Sequence, residues 1–103
     1  MESSVSVSRT EHETIIQVKG RFTAKSHNQF RDAYRKELTE EDHYRRIVVD
    51  LAGTEYIDSS ALGMLLLMRA YMRSETDVEI IHARPEVLKV LKIANFERMF
   101  KII

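Results

Sequence analysis

No cysteine occurs among the 103 residues, which removes disulfides, thiolate metal sites and thiol catalysis and fits a reducing compartment. Long apolar runs are also missing. The longest, Ala61 to Met68, stops at Arg69, well short of the roughly 20 residues that cross a bilayer. The opening Met-Glu-Ser-Ser-Val-Ser offers neither the basic region nor the apolar segment of a secretory signal. Neither sign of charge is in excess, with 16 Lys plus Arg against 16 Asp plus Glu, so nothing in bulk attracts the chain to nucleic acid or to an acidic membrane surface. These absences predict a cytoplasmic protein with no direct nucleic-acid partner and no membrane contact. No repeat, low-complexity segment or linker divides the chain, and its length suits one domain over residues 1–103. Folding a chain of this size buries somewhat over ~60% of the unfolded surface, which disfavours a deep substrate cavity.

What is present reads as alternating strands and helices. Val5 and Val7 alternate with serines, the period of a half-buried strand, and Glu13 to Lys19, closed by Gly20, is a second. Ser26-His27-Asn28-Gln29 matches a capping box, predicting a helix whose inner face carries Phe30, Tyr34 and Leu38. The charged stretch Glu40 to Arg46 reads as a solvated connection. Ile47-Val48-Val49-Asp50-Leu51 reads as a central strand covered on both faces, followed by a turn at Gly53-Thr54. A second helix is expected over Ser60 to Arg73, a further strand over Val78 to His82, and a third helix from Pro85 to near Asn95. Phe100 and Ile102 would share one face of a last strand. The order β-β-α-β-α-β-α-β implies an α/β domain, its mixed, largely parallel sheet packed by the helices.

Chemistry concentrates where Tyr56-Ile57-Asp58-Ser59-Ser60-Ala61-Leu62-Gly63 joins the central strand region to the second helix. The ordinary reading is a capped helix start, with Asp58 or Ser59 satisfying orphan amides, a contribution of ~1 kcal/mol. A helical wheel at ~100° per residue gives a sharper one: Ser59, Leu62, Leu66, Arg69 and Arg73 form one stripe, while Ser60 falls with Met64, Leu67, Met68 and Tyr71 toward the sheet. Gly63 costs ~1 kcal/mol relative to alanine inside a helix, and with Ala70 it flattens the stripe's border. Either another surface or the protein's own sheet approaches closely there.

These residues resemble the STAS domains of anti-sigma factor antagonists. The resemblance covers essentially the whole chain, from strand order to the final Phe100-Lys101-Ile102, and its most specific element is Ile57-Asp58-Ser59-Ser60-Ala61-Leu62-Gly63. The family usually reads Asp-Ser-Ser-Gly-Leu-Gly, so Ala61 departs while the serines remain. The resemblance implies a single STAS-like domain in which Ser59 is phosphorylated by an anti-sigma factor or serine kinase partner and dephosphorylated by a PP2C-type phosphatase. The helical stripe offers the partner-binding surface, Asp58, Ser59, Leu62, Gly63, Leu66, Arg69 and Arg73, and the resemblance adds Arg21 and Thr23 from Gly20-Arg21-Phe22-Thr23, which looks like the family's other contact loop. In that loop an acidic residue often stands where this chain has Thr23. Gly20-Arg21-Phe22, His27, Phe30-Arg31 and Ala61 look most like the Gram-negative subset whose partner is a response regulator carrying kinase and phosphatase modules.

The expected output is a non-enzymatic switch. Unmodified Ser59 beside two leucines lets a partner dehydrate the surface, whereas phosphate adds a charge of ~−1.5 to −2 that resists dehydration. The rival is an accessory STAS subunit of a lipid-transporting ABC complex, in which the same helix docks permanently. A hydrolase nucleophile would need glycines where Ile57 and Ala61 stand. His12, His27, His43 and His82 are scattered without metal-ligand spacing, so neither metal nor cofactor is expected, and His27 reads as a packed or capping residue. Arg45-Arg46 reads as a strand entrance.

Overall fold

The computed structural model describes residues 3–103. Strands β1 (Ser4–Arg9) and β2 (Glu13–Phe22) form an antiparallel pair, with Val7 opposite Ile16 and Val5 opposite Val18. Helix α1 (His27–Asp32) passes into a wider π-helical turn, Ala33–Glu37. Strands β3 (Arg46–Asp50) and β4 (Thr54–Ile57) lead to helix α2 (Ser59–Tyr71). Strand β5 (Val78–Ile81), helix α3 (Pro85–Ile93) and strand β6 (Lys101–Ile102) complete the chain. The sheet runs β1-β2-β3-β5-β6, parallel throughout except at β1, and β4 pairs with the far half of β2.

Because the chain steps across the sheet in one direction, right-handed crossovers put all three helices on the same face. The strand residues within the core agree, since Val5, Val7, Ile16, Val18, Ile47, Val49, Ile80 and Ile102 all come from one side of the alternation. The expectation that β3 is covered on both faces holds, although helices supply the cover on one face only. Val48 is buried on the opposite side, between Ile15 and Glu79 in register, where Arg46 reaches both Glu13 (2.8 Å) and Glu79 (3.2 Å). Arg46 is thus the strand entrance that the sequence suggested.

Strand β4 is the element missing from the predicted order, in which Gly53-Thr54 was only a turn. It has four residues, and its buried positions, Thr54 and Ile57, are separated by two exposed ones, so no alternation marks it. It exists because β2 continues past Gly20, which takes the left-handed φ of 88° and lets the strand shift register there. The Gly20 amide bonds Gly53 O (2.9 Å), and Thr54 Oγ1 donates to Val18 O (2.8 Å). Glycine here bends the strand rather than closing it.

Two further readings are corrected. The capping box falls three residues earlier than Ser26-His27-Asn28-Gln29. Thr23 caps a short 3₁₀ turn, Ala24–Ser26, while buried Ser26 accepts from the Thr23 amide (3.2 Å) and donates to Arg21 O (3.2 Å). His27 and Gln29 are exposed, so the His27 side chain is not packed, and its backbone amide closes the 3₁₀ turn by donating to Ala24 O. The stretch from Glu40 is not merely solvated, because a 3₁₀ helix over Glu40–Tyr44 buries Asp42 to 1% exposure. That carboxylate accepts from Arg9, Thr14 Oγ1 (2.6 Å) and Thr39 N (2.6 Å), tying β1, β2 and the α1–β3 connection together.

Candidate functional site

Helix α2 begins where it does because Asp58 is extended and its carboxylate accepts from the Ala61 amide at 3.0 Å. Of the two capping candidates, Asp58 holds the role. Ser59 and Ser60 are then the first two helical residues, both exposed, with first-turn amides that have no acceptor inside the helix. The β2–β4 pairing fixes what lies beside them. Phe22 is in register with Ile57, and the Asp58 amide reaches Phe22 O at 3.4 Å. The loop at Thr23 is thereby held against the start of α2, and Arg21 stacks its guanidinium 4.3 Å from the Tyr56 ring centre. Residues more than 30 positions apart in sequence meet through a strand that no alternation in the sequence marks.

The structure rotates the expected helix faces. The buried face is Ala61, Met64, Leu65 and Met68, whereas Ser60, Leu67 (58% exposed) and Tyr71 face outward instead of toward the sheet. Tyr71 leans on Tyr34 of the π-turn, with ring centres 5.3 Å apart, and Arg35 lies over its ring. Burial among these groups pushes the Tyr34 hydroxyl pKa up, against the opposing pull of Arg35 and Arg31. Leu62 and Leu66 are half-buried because they also pack on the core. Arg69 folds back to donate to Ser74 O (3.0 Å). Arg73 lies beyond the helix, pairing with Glu40 (2.6 Å) and stacking on Tyr44, some ~20 Å of helix away from Ser59. It does not share a site with Ser59.

Gly63 decides between the two explanations for its presence. A Cβ added there would meet nothing within 4 Å, so the protein's own packing does not demand glycine. The outermost surface of α2 is therefore Ser59, Ser60, Gly63, Leu67 and Ala70. Leu67 is the residue that wheel reasoning missed. An available signal was Leu65, whose place between Ala61 and Met68 sets the true inward direction.

Among the described residues no three His, Asp or Glu side chains gather as metal ligands, and no helix is long and apolar enough to cross a membrane. The α/β layer thus presents a helix start at which an aspartate cap is followed by two exposed serines. Residues 5–102 match the family described as "Mlab, STAS domain", and the chain belongs to that family. It is 47% identical over 91 residues to a STAS-domain containing protein of Pseudomonas aeruginosa (strain UCBPP-PA14), covering 87% of each chain. Its fold is similar to an anti-sigma factor antagonist from Mycobacterium paratuberculosis, with a TM-score of 0.86 at 16% identity, covering 98% of this chain and 85% of that one. It is also similar to the anti-sigma factor antagonist SpoIIAA in its unphosphorylated form, with a TM-score of 0.63 at 16% identity, covering 97% and 87%.

Proposed function

We propose that this STAS domain is a phosphorylation-switched anti-sigma factor antagonist: it binds an anti-sigma factor or switch kinase while Ser59 is free and is released once Ser59 is phosphorylated. The observation that carries the proposal is an exposed Ser59 directly after the capping Asp58, opening a helix whose outward face offers Gly63 and Leu67. Structural neighbours named as antagonists, one described in an unphosphorylated form, support the reading. Phosphate at Ser59 would sit against the free first-turn amides and leave the cap intact, so the domain survives modification. It would also set ~−1.5 to −2 of charge at the centre of the contact, where a partner must strip water. A PP2C-type phosphatase, in a response regulator that also carries the kinase, would reverse the step in the cytoplasm. The chain itself performs no catalysis in this scheme.

Ser59→Ala used as bait in a pull-down, followed by calorimetric titration of the captured partner with Ser59→Ala and Ser59→Asp, tests the proposal. The alanine variant is expected to bind and the aspartate variant to bind at least about thirtyfold more weakly, equivalent to ~2 kcal/mol. Equal affinities would remove the charge switch. The apolar surface of α2 would equally suit a permanently docked accessory subunit of a lipid-transporting ABC complex. An ATPase in the pull-down, with no contrast between alanine and aspartate, would establish that alternative.

A further inference from the structure

A cavity of about 210 Å³ opens between β4 and α3, lined by Glu55, Tyr56, Ile57, Glu86, Val87 and Val90. Small-molecule sites usually run from roughly 300 to 1,000 Å³, so this one is sized for a single bulky side chain. Its walls are mostly carbon. Ile57 and Val87 are buried, Val90 is half-buried, and Arg21 braces the Tyr56 ring. Its rim is acidic: Glu55 and Glu86 are exposed, and neither takes part in an ion pair among the described residues. Ile57 immediately precedes the Asp58 cap, so a surface covering Ser59 lies beside the cavity mouth.

We infer that the cavity receives one bulky apolar side chain of the protein partner, from a segment in which lysine or arginine flanks that residue. The inference rests on the reading that the Ser59 surface binds a protein. An apolar anchor in a preformed pocket, rimmed by complementary charge, is the usual composition of an interface hot spot. A fatty acid fits the walls but would bring a third carboxylate between Glu55 and Glu86.

Amide shifts of the ¹⁵N-labelled full chain, titrated with acetyl-Arg-Leu-Lys-amide to about 5 mM, test this, since that concentration reveals a Kd near ~1 mM. Shifts are expected at residues 55–57 and 86–90, with affinity at least about fivefold lower for acetyl-Arg-Ala-Lys-amide and for acetyl-Glu-Leu-Glu-amide. Val90→Phe, filling the cavity from within, is expected to abolish the response. Glu86→Gln, an exposed change that spares the fold, is expected to weaken it. No shift, equal shifts with all three peptides, or stronger binding of octanoate to the same amides would overturn the inference. Shifts that depend on protein concentration alone would assign the cavity to a second copy and overturn it as well. Because the peptides never contact Ser59, the two failures separate. A lost peptide response with an intact Ser59 contrast removes only the cavity's role, whereas a peptide response without that contrast removes only the switch.

Discussion

Two aspartates divide the molecule. Asp42, at the end of the sheet where β3 begins, accepts five hydrogen bonds from Arg9, Thr14 and Thr39 and is almost fully buried. Asp58, at the other end of β2, accepts one, from the Ala61 amide, and its neighbours Ser59 and Ser60 are open to water. The first carboxylate crosslinks three segments and the second caps one helix. Cohesion is thus concentrated away from the proposed switch, which allows a charge to be added at Ser59 without disturbing a network.

The comparison breaks most visibly at Asp42. Asp42→Asn leaves the Arg9 guanidinium and the Thr39 groups poorly matched, and is expected to cost ~3 kcal/mol, or roughly 12 to 20 °C in Tm by circular dichroism. Partner binding by the folded fraction should not change. Burial alone would raise the Asp42 pKa, but the hydrogen bonds from Arg9, Thr14 and Thr39 outweigh it and hold the carboxyl well below the usual carboxylate range. A depressed carboxyl stabilises the fold fully above its unfolded pKa of about 3.9 and loses that contribution as pH falls toward the folded value. Melts taken from pH 7 downward should show the gap between wild type and Asp42→Asn closing below about pH 4. A gap independent of pH would mean that the carboxylate's charge is not what holds the segments.

At the other end the expected effects fall on binding. Leu67→Ala removes an exposed side chain, so stability should stay within ~0.5 kcal/mol while partner affinity drops about fivefold, read by calorimetry. Matching losses of both would show that Leu67 packs internally. The smallest and most diagnostic change is Gly63→Ala. With open space around the position, it should stabilise the isolated domain by ~1 kcal/mol through helix propensity alone, raising Tm by about 5 °C, and weaken the complex. Unchanged binding would show that no partner backbone approaches there.

The residue pattern by itself determined the alternation of strands and helices, the mixed parallel sheet, the start of α2 and the serine placed after an aspartate. Each of these depends on local periodicity or on a cap only a few residues long. Tertiary structure alone decided what lies beside Ser59. The β4 strand carries no alternation, because its residues are sorted by pairing with the bent end of β2 across more than 30 positions, and that pairing brings Arg21 and Thr23 to the helix start. Leu65 was the one hint of the outward direction of α2, since Ser60 and Leu67 are small or apolar enough to be buried and stay exposed only because no element packs over them. Asp42 makes the same point from the opposite side: a carboxylate in a charged run reads as solvated until the fold brings Arg9, Thr14 and Thr39 around it. Local sequence sets which conformations a segment favours, whereas burial and charge pairing depend on neighbours that only the folded chain assembles.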